Sequence, residues 1–304
     1  MKKFLFKSLG FSFQIFLLLF VLDFVMSEVF RSSKFYVFNS SKEIIEQKII
    51  NSDIVIMGNS RAYYQYSPYI FDSILKLDTY NLGFHATPFA SGQYAKYLLY
   101  REIIKKPRCI IQNVDYRTLE AKGVDYWHVQ FYPYFFTSKR KMVFEQESYS
   151  IPERYIPMYR YSHFGIFNIL HRRDSLYKGY HGKEKIWYRN KSDMIKELYF
   201  QYDEKDIETF ADFLHDAKEE GIKVIMVYAP IYYEVTEKIA NIDRMYIVYD
   251  SLSKQYDALI LDYTYDEISY DTLLFFDATH LNKKGSELFT TKLCHDIDSL
   301  QLLN

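Results

Sequence analysis

Cysteine, proline and glycine are all scarce in this chain of 304 residues, with 2 Cys, 7 Pro and 10 Gly. Cys109 and Cys294 cannot build a disulfide framework or a thiolate metal cluster. Each falls in an apolar segment, where a buried thiol is the default, and a single bridge between them stays open. So little proline and glycine excludes collagen-like, Pro-rich and Gly-linker compositions. A surplus of charge is missing too: 38 Lys and Arg meet 39 Asp and Glu. No global field draws this chain onto nucleic acid, which is not expected as a partner.

What is abundant is aromatic: 31 Tyr and 25 Phe within a chain that is 49% hydrophobic, which excludes a disordered protein. Tyrosine joins an apolar body to a polar tip and suits half-wet clefts. A bias of the source genome explains the number equally well.

The N-terminus carries the one long apolar run. Lys2, Lys3 and Lys7 precede a stretch from Leu9 to Met26 whose strongly polar residues are Gln14 and Asp23. Eighteen helical residues at about 1.5 Å each nearly cover a hydrocarbon core, and Val29 and Phe30 extend it. Val25, Met26 and Ser27 make a poor cleavage site. The expectation is an uncleaved, single-pass anchor over residues 1–30 with cytoplasmic lysines and the remainder outside. Asp23 near the outer end can reach the interface or a partner helix.

Residues 31–40 read as a short stalk, and 41–304 as one domain. Ser41 caps a helical pattern, "SKEIIEQKII". Apolar strands are expected at 53–57, 78–82, 108–114, 223–228 and 257–262. Helical patterns fall near 68–76, 89–105, 205–220, 236–254 and 282–299. Continuous Val/Ile-rich strands alternating with helices predict a parallel sheet covered on both faces, an α/β/α sandwich of five strands. Residues 116–204 break the rhythm. Basic residues outnumber acidic ones there, and the region holds Trp127, Trp187, His128, His163, His171 and His181. It reads as a cap over a site or as a packed insertion with solvated arginines.

Ligands of an open parallel sheet sit beyond the carboxyl ends of its strands. The first strand delivers Gly58-Asn59-Ser60, the second Asn81-Leu82-Gly83, and the third Asn113 and Asp115. "FFDATHLNKKG" places Asp277 and His280 just before the last helix. Those are the parts of an acyl-transfer site: a serine, a base, a carboxylate to orient the base, and donors for an oxyanion. The Ser60 and Gly83 amides and the Asn113 side chain are the candidate donors. Each motif alone is weak; their order along the strands is not. No third ligand accompanies Asp277 and His280, and no phosphate-cradling glycine loop occurs, so neither metal nor cofactor is expected.

With these blocks the chain resembles the SGNH (GDSL-like) hydrolase family over residues 53–302. "GNSR" (58–61), "NLG" (81–83) and "DATHLN" (277–282) match its first, glycine and Asp-x-x-His blocks. The resemblance implies a flavodoxin-like sheet, Ser60 as nucleophile, His280 as base, Asp277 as its orienting acid and Gly83 as oxyanion donor. The third block departs: "IIQNVD" lacks the family's glycine, so either Asn113 or Asp115 takes the asparagine position. Asn113 is preferred because an ionised aspartate would repel an oxyanion. An α/β-hydrolase would want glycine where this chain has Ala62. Arg61 is a candidate for an anionic substrate group or for a salt bridge that holds the turn. Trp127 is a candidate for stacking on a sugar.

A membrane-tethered site of this kind resembles proteins that add or remove acetyl groups on exported polysaccharides. Three readings follow: an esterase acting on acylated glycans, an O-acetyltransferase supplied by a multi-pass membrane partner, and a glycan-binding protein of the same fold without catalysis.

Overall fold

The computed structural model describes residues 2–32, 51–84, 90–103, 106–120, 127–137, 150–162, 177–189 and 195–303. Most of the expected stalk and the helix from Ser41 lie outside them. Two compact units result: residues 1–47 with 127–173, and 48–126 with 174–304. Of residues 116–204, the stretch 127–173 groups with the N-terminal helix and the remainder with the sheet.

The larger unit is an α/β fold on five parallel strands. They are β1 (Ile54–Met57), β2 (Thr79–Asn81), β3 (Cys109–Asn113), β4 (Lys223–Tyr228) and β5 (Leu259–Asp262), in the order β2-β1-β3-β4-β5. β1 and β3 are buried along their whole length; β1 reads as an unbroken apolar run, and in β3 the apolar Cys109, Ile110 and Ile111 lead into the buried amides of Gln112 and Asn113. On one face pack α2 (Ser60–Gln65), α3 (Pro68–Leu75) and α9 (Lys283–Ser299); on the other, α4 (Ala90–Ile103), α6 (Glu204–Glu219) and α8 (Ile242–Tyr256). The first face joins Ile54, Ile56, Ile111 and Val227 to Phe71, Phe289 and Leu293 in one core. Cys109 and Cys294 belong to that core, and both are free thiols, which closes the bridge option.

One expected helix, 236–254, is instead two: α7 (Tyr233–Glu237) and α8. Between them Asn241 bonds both ways to the Phe200 backbone, and Ala240 donates to the Leu198 carbonyl. The chain breaks its helix there because a neighbouring segment takes its polar groups. A two-stranded hairpin, β6 (Phe275–Asp277) with β7 (His280–Leu281), was not foreseen as strand at all.

In the smaller unit α1 spans Lys2–Ser32 and is long and apolar enough to cross a membrane. A 3-10 turn at Trp127–Tyr134, α5 (Ile151–Tyr155) and a second 3-10 turn at Tyr159–Tyr161 complete its described part. Asp23 is fully buried and forms an ion pair with Arg160, whose guanidinium lies 3.7 Å from the centre of the Phe135 ring. The Met158 amide donates to Asp23 Oδ2 at 2.9 Å, and Ser27 and Tyr161 share a hydroxyl contact of 2.7 Å. The carboxylate in this apolar helix thus finds its partner within the chain.

Candidate active site

β1 ends at Met57, and Gly58 turns the chain with φ +140°, where a Cβ would stand 2.9 Å from Asn113 Cβ. Only glycine fits that turn. Asn59 then caps α2, its Oδ1 accepting from the Arg61 amide at 2.9 Å. Ser60 is therefore the first residue of a helix, where its own N–H has no intrahelical acceptor.

The β6–β7 turn supplies the rest. Asp277 Oδ1 accepts from the amides of Thr279 and His280 at 2.9 and 3.0 Å and from the Thr279 hydroxyl at 3.0 Å. So held, its two oxygens lie 2.9 and 3.0 Å from His280 Nδ1. On the other side of the ring Nε2 is 2.8 Å from Ser60 Oγ. A proton on Nδ1, donated to the carboxylate, leaves Nε2 to accept from the serine hydroxyl. Burial would push the Asp277 carboxyl up, but the His280 hydrogen bond and charge and the Thr279 bonds together hold it below the usual carboxylate range. The structure joins Ser60, His280 and Asp277 in one hydrogen-bonded series.

The imidazole is also fixed by rings. Phe276 stacks on it at 5.2 Å and 4°, and Tyr64 meets it edge-on at 5.4 Å. Tyr64 touches His181 in the same way, and His181 in turn stacks on Tyr63 at 5.6 Å. Residues 177–189 form the strap that brings His181 there. The strap is tied by the His181 amide to the Tyr63 carbonyl and by the Trp187 amide to that of Phe275. Phe276, Tyr64 and His181 were not legible as site residues, because none belongs to a motif.

Asp115 has a definite place. Its Oδ2 accepts from Asn59 Nδ2 and from Arg61 Nε, the residues on either side of Ser60. Its Oδ1 accepts from the Arg117 and Thr118 amides at 2.8 and 3.2 Å. Burial alone would raise this carboxyl, yet the Arg61 charge and these hydrogen bonds bring it below the usual range. Arg61 is buried, with its remaining bonds going to the carbonyls of Ala229 and Val114. Of the two roles open to Arg61, the salt bridge that holds the turn is the one the structure displays.

The expected oxyanion donors fare differently. The Gly83 amide donates to Asn81 Oδ1 at 2.8 Å, and a Cβ on Gly83 would stand 2.4 Å from the Tyr63 amide nitrogen. Here glycine is needed for close approach to α2. Asn113 is fully buried beneath Gly58; its Oδ1 accepts from the Tyr66 hydroxyl at 2.9 Å, and its Nδ2 has no partner among the described residues. Trp127 has its backbone in the smaller unit, and its side chain lies outside what the structure describes. Among the described residues no group of three or more His, Cys, Asp or Glu side chains is placed to hold a metal ion.

No family model matches the chain, and no curated protein matches it. Among solved structures it is similar to a candidate lipolytic protein of the G-D-S-L family from Desulfitobacterium hafniense, at 14% identity over 80% of this chain and 97% of that one, with a TM-score of 0.41. A candidate acylhydrolase from Bacteroides fragilis is similar at 12% identity over 90% of this chain and 100% of that one, with a TM-score of 0.42. For a GDSL-like lipase from Bacteroides thetaiotaomicron the identity is 9%, the shares are 86% and 99%, and the TM-score is 0.41.

Proposed function

We propose that this protein is a membrane-anchored serine ester hydrolase of the SGNH type, with its reactive unit outside the cell membrane and acyl groups of envelope or exported glycans as substrate. The observation that carries the reading is the series from Ser60 Oγ to His280 Nε2 at 2.8 Å and from His280 Nδ1 to Asp277 at 2.9 Å. His280 accepts the Ser60 proton as Oγ attacks the acyl carbonyl, and Asp277 offsets the charge that forms on the ring. His280 then returns the proton to the leaving alcohol, and an acyl-Ser60 ester remains. Water, activated by the same imidazole, cleaves that ester.

The oxyanion needs donors. The Ser60 amide is available at its helical first position, and the buried Asn113 Nδ2 without an acceptor supports Asn113 as a second. Gly83 would join them only by sharing the amide now given to Asn81. Tyr64 is buried, so the half-buried Phe276 beside the base is the ring left for a sugar-bearing substrate to meet.

The acyl-enzyme is common to hydrolysis and to transfer onto a sugar hydroxyl, so one experiment addresses both. The full-length protein in detergent is incubated with p-nitrophenyl acetate, with and without an oligosaccharide, beside Ser60→Ala. Hydrolysis by the parent and none by the variant is expected. Acetylated sugar detected by mass spectrometry, at the expense of free acetate, would reassign the protein as a transferase. Equal rates in parent and variant would remove Ser60 from the chemistry.

A further inference from the structure

Along α1 the apolar side chains from Phe4 to Val21 are largely exposed, and the first fully buried residue is Asp23. From Lys2 to Asp23 the helix rises about 32 Å at ~1.5 Å per residue, which is the thickness of a hydrocarbon core. With Lys2 and Lys3 at one face of a bilayer, Asp23 stands at the other, and Lys7 snorkels back to the first. At the level of Asp23 the chain is held from the side by the Met158 amide and the Arg160 guanidinium. Both charges of that pair are almost wholly buried and neutralise each other, so lipid can lie against them.

The residues just before Met158 are unusual for a surface in water. Ile151, Tyr155 and Ile156 are 75%, 68% and 50% exposed. Ile151 and Tyr155 stand four apart and share one face of α5. Glu153, on the same short helix, turns inward to the Ser150 cap and the Tyr132 hydroxyl. A tyrosine flanked by isoleucines suits the headgroup boundary, where amphipathic rings collect.

We propose that Ile151, Tyr155 and Ile156 dip into the outer headgroup–acyl boundary as a second, interfacial contact with the bilayer, and that the Asp23–Arg160 pair sets its depth. This rests on the reading of α1 as a spanning helix. Lipid is the occupant because these side chains, held beside Asp23 through Met158, continue the exposed apolar surface that α1 carries up to Asp23 and past it at Phe24, Val25 and Val29. Asp23, the charge that would otherwise call for a partner helix, is satisfied within the chain.

The test uses full-length protein in phosphatidylcholine nanodiscs, with one bimane-labelled cysteine at a time: Phe13→Cys in α1, Tyr155→Cys in α5 and Glu208→Cys on the exposed side of α6. The Phe13 label should lose most of its emission to lipids with a doxyl group at the bilayer centre. The Tyr155 label should lose most of its own to lipids with the doxyl group near the headgroup, and iodide should barely affect it. Only the Glu208 label should respond to iodide alone. A Tyr155 label quenched by iodide as readily as the Glu208 label overturns the interfacial contact while leaving the spanning helix intact. Shielding of that label from both quenchers overturns it too, since a protein partner would then cover the surface. No lipid quenching at Phe13 removes the spanning reading on which the inference stands.

Discussion

Ser60 Oγ and His280 Nε2 meet at 2.8 Å although 220 positions separate them in the chain. Neither segment holds this geometry alone: α2 presents the serine, and the β6–β7 turn presents the imidazole already aligned by Asp277.

On the proposed chemistry, removing the Asp277 carboxylate should cost rate rather than fold. Asp277 is partly exposed, so Asp277→Asn is expected to keep the circular dichroism spectrum and lower kcat by about 10²–10⁴-fold, with His280→Gln at least as damaging. Stopped-flow hydrolysis of p-nitrophenyl acetate reads both; an Asp277→Asn enzyme at full kcat would leave the carboxylate without a role.

The Asp115–Arg61 pair makes a prediction about acid. Because the folded Asp115 carboxyl lies below its unfolded value, its contribution is complete above the ordinary aspartate range of about 4 and is lost as pH falls below it. Asp115→Asn strands a buried guanidinium and should cost about 3–5 kcal/mol at neutral pH. The gap from wild type should then narrow at pH values below about 4. Urea denaturation at several pH values measures this. A constant gap would show that Asp115 acts through packing and not through charge.

Phe276 stacks on the His280 imidazole at 5.2 Å. Phe276→Ala should loosen the ring and lower kcat about tenfold or more while KM changes little, since misplacement of a reacting group is costly. Phe276→Tyr, which keeps the ring, should restore most of the rate. A drop in Tm with unchanged kcat would make Phe276 a packing residue only.

Two glycines should resist substitution for different reasons. Gly58→Ala forces a side chain onto φ +140° against Asn113, and Gly83→Ala places a methyl on the backbone of α2. Each is expected to destabilise by about 1–3 kcal/mol, with activity falling alongside as the Ser60 turn shifts. Thermal denaturation reports the loss, and an unchanged Tm for Gly83→Ala would mean that α2 does not approach β2 as closely as described.

What the amino-acid order decides by itself is local. The buried strands β1, β3 and β4 betray themselves as short, largely apolar runs, and all five strands fall within a few residues of the expected spans. Asp277 and His280, three apart in one turn, are close in any compact conformation of that turn. The N-terminal helix follows from a run of residues that water would not solvate. Contacts between distant segments carry no such signature. The pairing of Asp23 with Arg160, the capture of the Gly83 amide by Asn81 and the grip of Asp115 on both neighbours of Ser60 each depend on which side chain finds a buried, unpaired group within reach once the chain has closed. Closure is set by the summed burial of the core, and so only the tertiary structure could show Asp115 bonded to Asn59 and Arg61 while Asn113 packs beneath Gly58.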